Sequence, residues 1–466
     1  MEQALPRLAI VGLAGDTGKT LVSLGLVRVL RKRGLKVAPF KKGPDFIDAA
    51  WLGAAAGVPG HNLDTFLMPE EAILGSLSKA ARNFDIAVME GNRGLFDGLD
   101  AQGSHSTAQL AKLTGTPVVL VLDTTKATRT LAAQVLGCQK LDPQLELKGV
   151  ILNRVGTSRQ EMVIREAIVK ETGLEVLGAI PRVKDQHLPS RHLGLVTALE
   201  HPGTEDALEK VATLIDQHVD VNRLIKIAGQ ARLLDVDQSS SQLSAPKSRV
   251  KIGFLKDRAF SFYYPENLAA LEAAGAELWP ISPIDDTELP PIDGLYAGGG
   301  FPEVHADVLS ANSSFRKALA DRISNGLPVW AECGGLMYLS QALIKDGQTY
   351  PMVGALPIVV EHTPKPQGHG YVRARVDGAN PFLAEGTDVC GHEFHYSRLQ
   401  DNSLKIQTVL KLQRGVGVGQ GRDGIQVGGV VATYTHVHAL GMPEWATGLV
   451  AATQGSSSTQ NAGGLH

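Results

Sequence analysis

Five short apolar runs, RLAIVGL, LKVAPF, DIAVMEG, TPVVLVLD and LKGVILNRV, punctuate the first third of the chain, each separated from the next by helix-length sequence. Runs this uniformly apolar do not alternate a wet and a dry face, so the strands they form must be covered on both sides. Strands covered on both faces and joined by helices make a parallel sheet. The expected fold class is therefore α/β, with a doubly wound parallel sheet in this half. After the first run, TLVSLGLVRVLRKRG has helical periodicity and stops at Gly34 behind a basic last turn.

Between the first strand and the first helix lies GLAGDTGKT, residues 12–20. Backbone N–H groups of such a loop point inward and, with the helix N-terminus, attract phosphate. Gly15, Asp16, Thr17 and Gly18 form the loop. Lys19 is placed to reach terminal phosphates, and the Thr20 hydroxyl to bind Mg²⁺. The strict spacing has glycine at position 13, where this chain has Leu13 and carries glycines at 12 and 15. Further Mg²⁺ ligands should come from the ends of neighbouring strands, because open parallel sheets bind ligands there. EGNRGLFDG supplies Glu90 and Asp97, and KKGPDFIDAA supplies Asp45 and Asp48. Asp123, ending VVLVLD, reads equally as a wall of the site or as structure. Lys41 and Lys42 read equally as phosphate neutralisers or as a solvated pair.

Periodicity fades between 225 and 249, where LLDVDQSSSQLSAPKSR is polar and serine-rich. The expected organisation is an ATP-binding domain over 1–224, a linker over 225–249, a second α/β domain over 250–445 opened by VKIGFLKD, and a disordered tail over 446–466. In the second domain LPVWAECGGLMYLSQAL reads strand, tight turn, helix, with Cys333 at the turn. A thiol there is exposed, and the helix N-terminus lowers its pKa and offers N–H groups to an oxyanion. Cys333 is the expected nucleophile and Gly334 one oxyanion donor. In GLYAGGGFPE, Gly299 or Gly300 supplies the other. The base is sought in VVATYTHVH, where strand alternation points His436 and His438 to one face and does not choose between them. His392, Glu393 and His395 of GHEFHYS are rivals, or a structural cluster; a metal site there lacks zinc-ligand spacing.

The net charge of −3 gives no reason to expect nucleic acid as a partner. Three cysteines in 466 residues make no disulfide framework, which favours a reducing, cytoplasmic setting. The opening MEQALPRLAIVGLAG reads as a first strand rather than a signal peptide, and no run of about 18 apolar residues predicts a membrane span.

In combination, GDTGKT, KKGPDFID, NLD, EGNRGLFDG, STAQLAK, RHLGLV, FSFYYPENL, GLYAGGGFPE, AECGGLMYL and YTHVH resemble the cobyrinic acid a,c-diamide synthase family over about residues 1–445. The resemblance implies a P-loop domain of the dethiobiotin-synthetase type followed by a class I glutamine amidotransferase domain. It implies L-glutamine, ATP with Mg²⁺, and an acidic tetrapyrrole as partners, and leaves a homodimer open. Carried over residue by residue, it implies Cys333 as nucleophile and His436 as base. It puts Thr17 to Thr20 at the phosphates, with Thr20, Asp45 and Glu90 near Mg²⁺, and Asp48 and Asp97 at the substrate edge. The family's corrin enzymes read GPDYIDP where this chain reads GPDFIDAAWL, with Phe46, Ala49 and Trp51. Sirohaem and nickel sirohydrochlorin are therefore alternative substrates of the same chemistry. A different class, a P-loop partitioning or metal-insertion ATPase, would have no use for AECGG and YTHVH, and glutaminase activity separates the two.

Overall fold

The computed structural model describes residues 2–183, 190–191, 194–235, 250–400 and 406–461. The chain divides into two compact units, 1–241 and 242–466.

In the first unit seven parallel strands lie in the order His61–Leu63, Val37–Lys42, Ile86–Gly94, Arg7–Gly12, Val118–Asp123, Leu147–Val155, Glu175–Pro181. The apolar runs form five of them. The two edge strands were not foreseen. His61–Leu63 is three residues long, too short to show a pattern. Both faces are buried, as runs such as Val119–Leu120–Val121 require; on one of them side chains from Lys19–Lys32 and Thr204–His218 pack against Leu8, Ile10, Val88 and Val119 in one core. Arg7–Gly12 is central, and the chain leaves it first toward Val37–Lys42 and later crosses to Val118–Asp123. The topological switch point, where such sheets hold ligands, falls at the carboxyl end of Arg7–Gly12. The loop 12–20 starts there.

The expected linker begins inside structure. Val221–Ala228 is a helix with Val221, Leu224, Ile227 and Ala228 buried, and Leu234–Asp235 pairs with Gln3 and Glu2. A helix of eight residues carries too few turns for its periodicity to stand out. Residues 236–249 of that linker lie outside the described residues.

The second unit is built on ten strands in the order Ala276–Ile281, Val250–Leu255, Gly294–Ala297, Val329–Glu332, Val430–Thr433, Arg422–Val427, Thr408–Arg414, Gly368–Val376, Asp388–His395, His436–Val437. The first five are parallel and the rest antiparallel. Among the described residues no helix is long and apolar enough to cross a membrane.

The expected tail is structured as far as Asn461, and residues 462–466 of it lie outside the described residues. Pro443–Asn461 is a helix, and Trp445, Ala446, Leu449 and Val450 are buried. Its last turns, QGSSSTQN, carry the polar composition that suggested disorder, while its first turns bury an apolar stripe. The Trp445 ring lies 5.0 Å from Tyr296 and 6.3 Å from Trp330, centroid to centroid. Trp445→Ala should cost the second unit about 3–5 kcal/mol, as emptied aromatic core sites do. Urea denaturation followed by fluorescence measures it. A loss below about 1 kcal/mol would mean that the helix is peripheral to the fold.

Candidate active sites

Residues 12–20 wrap at the switch point. Asp16 (φ 56°) and Gly18 (φ 94°) are left-handed. Gly18 is required: an added Cβ would lie 2.0 Å from Asn153 Nδ2, which donates to the Thr17 carbonyl at 2.8 Å. At Gly15 an added Cβ would meet nothing within 4 Å, so that glycine leaves the mouth of the loop open. The Thr17 hydroxyl is buried with no hydrogen-bond partner. Lys19 is buried as well. Burial, and next the Lys41 ammonium, lower its pKa. A buried hydroxyl without a partner beside a buried ammonium is a site short of an anion.

Val37–Lys42 and Ile86–Gly94 end beside the loop, with Lys41 and Glu90 opposite each other in register. Lys41 is no solvated loop residue: its side chain is 1% exposed. It donates to Glu90 Oε1 at 2.8 Å and to Asp48 Oδ2 at 2.5 Å. Burial opposes its charge, but Asp48 and Glu90 raise its pKa above the ordinary lysine value. Lys42 is buried too and pairs with Asp64 at 3.3 Å. The Thr20 hydroxyl donates to Glu90 Oε1 at 2.7 Å, while Glu90 Oε2 is buried without a hydrogen-bond partner. Burial pushes the Glu90 carboxyl up, in spite of Lys41. Asp45 caps the helix Phe46–Ala56, its Oδ1 accepting from Asp48 N at 2.9 Å. Burial and then Asp48 push the Asp45 carboxyl up to about 7. Burial acts the same way on Asp48, but the Lys41 ammonium outweighs it and holds Asp48 below the usual carboxylate range. Thr20, Glu90 and Asp45 thus offer hard oxygen donors, one of them an orphaned carboxylate oxygen, which fits Mg²⁺. Among the described residues no group of three or more His, Cys, Asp or Glu is placed to hold a metal ion.

Asp97 sits at the rim, exposed, with Oδ2 accepting from Gly94 N at 2.9 Å. A Cβ on Gly94 would lie 2.6 Å from both Asp97 Oδ2 and the Leu13 carbonyl oxygen, so this turn abuts the phosphate loop. Asp123 accepts from Thr125 N at 2.8 Å and pairs with Arg154 at 2.6 Å, a turn-stabilising arrangement. Ala49 and Trp51 are buried, and the Trp51 indole donates to the Val196 carbonyl at 2.8 Å. These two departures from the family loop face the core.

In the second unit Cys333 occupies the sharp turn between Val329–Glu332 and the helix Gly334–Leu339, with φ 48° and ψ −96°. Its N–H donates to the Thr433 carbonyl at 2.7 Å. The thiol differs from expectation. Cys333 is 6% exposed rather than open, and its pKa is raised rather than lowered. Burial is the main cause and the Glu303 carboxylate the next; both outweigh the Gly334 N–H. A Cβ on Gly299 would lie 2.6 Å from His436 Cε1, and one on Gly334 would lie 2.9 Å from Gly300 N. Gly299, Gly300, Gly334 and His436 are therefore packed around the Cys333 turn. The two histidines of THVH diverge. His436 Nδ1 lies 3.2 Å from Glu332 Oε2, whereas His438 packs its ring 4.5 Å from Tyr264 and has Nε2 3.7 Å from Glu266. His392 stacks on His436 at 4.9 Å. Burial, then His436 and His438, press its pKa well below the ordinary histidine value, so it stays neutral. Both Glu393 oxygens accept backbone N–H groups, from Val416 at 2.6 Å and Gly417 at 2.8 Å, and His395 Nδ1 meets the Ser397 carbonyl at 2.8 Å. Glu393 and His395 hold a loop.

Sequence reasoning missed two carboxylates here. Glu332 stood in plain view beside Cys333, but a strand end gives no sign of its partner. Asp423 is fully buried and accepts from the hydroxyls of Thr433 (2.6 Å) and Thr435 (2.7 Å) and from the backbone of Tyr434 and Thr435. It clamps the turn that carries the chain from the strand beside Cys333 to His436.

The fold and the comparisons together define a class: an ATP-binding P-loop unit joined in one chain to a glutamine amidotransferase domain. Residues 8–196 match the CobQ/CobB/MinD/ParA nucleotide binding domain, and residues 251–443 the CobB/CobQ-like glutamine amidotransferase domain. The cobyrinate a,c-diamide synthase of Magnetococcus marinus is 42% identical over 451 residues, 96% of this chain and 97% of that one. That of Archaeoglobus fulgidus is 41% identical over 437 residues, 94% and 95% of the two chains. The chain belongs to the cobyrinate a,c-diamide synthase family. It is a glutamine-hydrolysing carbon–nitrogen ligase with ATP as co-substrate.

Gly299→Ala should drive a methyl group into the His436 ring. Turnover with glutamine should fall about 10²-fold, as small misplacements of a reacting group do, while turnover with free ammonia continues. Steady-state rates with the two nitrogen donors check this. Normal glutamine use would mean that the His436 ring is not where it lies here.

Proposed function

We propose that the protein amidates the a- and c-acetate carboxylates of cobyrinate through an acyl phosphate, in the cytoplasm, with ammonia drawn from glutamine. What most supports this reading is the similarity to synthases of that name across 96% of the chain, spanning both sites. Sirohaem and nickel sirohydrochlorin rested on an altered loop, and two of its three altered residues, Ala49 and Trp51, face the core.

Chemistry explains why two sites are needed. A carboxylate resists ammonia because oxide is a hopeless leaving group. Transfer of the γ-phosphoryl group to the substrate carboxylate turns that oxygen into phosphate, which ammonia can displace. The protein's task is to position and neutralise. In this reading the loop Gly15–Asp16–Thr17–Gly18 cradles the phosphates and Lys19 neutralises the group in transfer. Thr20, Asp45 and Glu90 would hold Mg²⁺, which would supply further neutralisation of phosphate charge. Asp48, kept ionised by Lys41, and Asp97 at the rim orient the acetate or the incoming ammonia and accept its proton. In the second unit Cys333 passes its proton to His436 and adds to the glutamine amide carbon. The N–H groups of Gly334 and Gly300 receive the oxyanion. Collapse expels ammonia with that proton, and water then hydrolyses the thioester to glutamate.

Cys333→Ser should abolish amidation with glutamine and retain it with saturating ammonia, read by a mass change of about 1 Da per amide formed; a folded variant dead with both donors would break the division of labour. Oxygen-18 placed in the substrate carboxylate should appear in the released phosphate, detected by mass spectrometry. Unlabelled phosphate, with the lost carboxylate oxygen appearing in water, would exclude the acyl phosphate.

A further inference from the structure

Glu332 is the residue immediately before Cys333, yet its carboxylate serves His436. We propose that Glu332 is the positioning carboxylate of the glutaminase centre, holding the His436 ring with Nδ1 protonated so that Nε2 is the nitrogen that accepts the Cys333 proton. The inference rests on the assignment of Cys333 and His436 above.

The geometry carries it. Trp330 and Glu332 project from the same face of Val329–Glu332, and the Trp330 indole donates to Glu332 Oε1 at 2.9 Å. The Tyr296 hydroxyl, from the neighbouring strand, donates to Oε2 at 3.1 Å. Val437 N donates to Oε1 at 3.4 Å. His436 Nδ1 lies 3.2 Å from Oε2, and side-chain exposure is 3% for His436 and 1% for Glu332. Indole and backbone N–H groups only donate, so Glu332 is surrounded by donors and acts as acceptor. The same requirement places the proton of His436 on Nδ1. A further residue locks the frame: Asn267 Nδ2 donates to the Val437 carbonyl at 2.9 Å, and Asn267 Oδ1 accepts from Ala439 N at 2.7 Å. The strand that presents the nucleophile therefore also orients its base, and a shift of one is a shift of both. Glu332 takes no proton in the cycle; it stabilises the imidazolium that forms when the thiol is deprotonated.

In Glu332→Gln one amide oxygen must replace two carboxylate oxygens. Placing the –NH₂ against His436 would favour the tautomer that cannot accept the thiol proton. The expected result is a fall in kcat for glutamine hydrolysis of about 10²-fold or more, with KM within about threefold. Alkylation of Cys333 by a diazoketone analogue of glutamine should slow in step. Persisting ammonia-dependent amidation reports that the variant is folded. A kcat within about threefold of the parent, or a loss confined to KM, overturns the proposal. Should the variant not fold, ¹⁵N NMR of the resting wild-type enzyme decides, with the His436 resonances assigned by a His436→Gln spectrum. An Nδ1–H tautomer supports the proposal, and an Nε2–H tautomer overturns it. Absence of alkylation at Cys333 in the wild type is a separate outcome: it removes the nucleophile assignment itself.

Discussion

A parallel sheet covered on both faces leaves only its strand ends for chemistry. Both units obey this constraint. In the first, Gly12, Lys41, Lys42, Glu90, Asp123 and Asn153 stand at or near the carboxyl ends of buried strands. In the second, Ala297 leads into the glycines, Glu332 into Cys333 and Thr433 into His436. The interiors of these strands are interchangeable hydrophobes. The residues that differ in chemistry are crowded where the strands stop, so position along a strand sorts packing from function.

Crowding buried charge has a cost that pairing must offset. Each ion taken from water loses several kcal/mol of hydration. Lys41 meets this by lying between Glu90 and Asp48 with direct contacts to both. The cluster holds three carboxylates, Asp45, Asp48 and Glu90, around the Lys41 ammonium, with the buried Lys19 ammonium also acting on Asp48 and Glu90, and Glu90 Oε2 has no hydrogen-bond partner. Asp423 and Glu332 are the opposite case. Both are surrounded by donors, Asp423 by two hydroxyls and three backbone N–H groups. Satisfied buried carboxylates hold shape, and unsatisfied ones await a ligand.

This difference explains what the sequence discloses. The five central strands, the phosphate loop and the cysteine turn were legible because each is local: an apolar run, or glycines at fixed spacing between a strand and a helix. The edge strand His61–Leu63 and the helix Val221–Ala228 were too short for a period to register. The helix Pro443–Asn461 was hidden by its own polar final turns. Lys41 was ambiguous because its partners lie 7 and 49 positions away and only the sheet register joins them. The divergence of His436 and His438 could not be read from alternation, since His436–Val437 is a two-residue strand and His438 has already left it. The direction of the Cys333 shift was misread for a related reason. A helix N-terminus is visible in sequence, but the burial that overrides it is a property of the whole unit.

The raised pKa of Cys333 has a mechanistic consequence. Burial and the Glu303 carboxylate raise the Cys333 thiol above its ordinary value, which disfavours a resting thiolate. In the proposed glutaminase reaction such a thiol gives up its proton to His436 as the sulfur attacks, which couples activation to the arrival of an electrophile. The imidazolium that this reading forms is a new buried charge. It is tolerable because Glu332 lies 3.2 Å from the far side of the ring, already fixed by Trp330 and Tyr296. A preformed carboxylate needs no reorganisation at the moment the charge appears, which is what makes such an arrangement effective. Trp445, packed against the same tyrosine and tryptophan, ties this electrostatic frame to the hydrophobic core. The precision of the site therefore rests on a helix at the end of the chain that touches none of the reacting atoms.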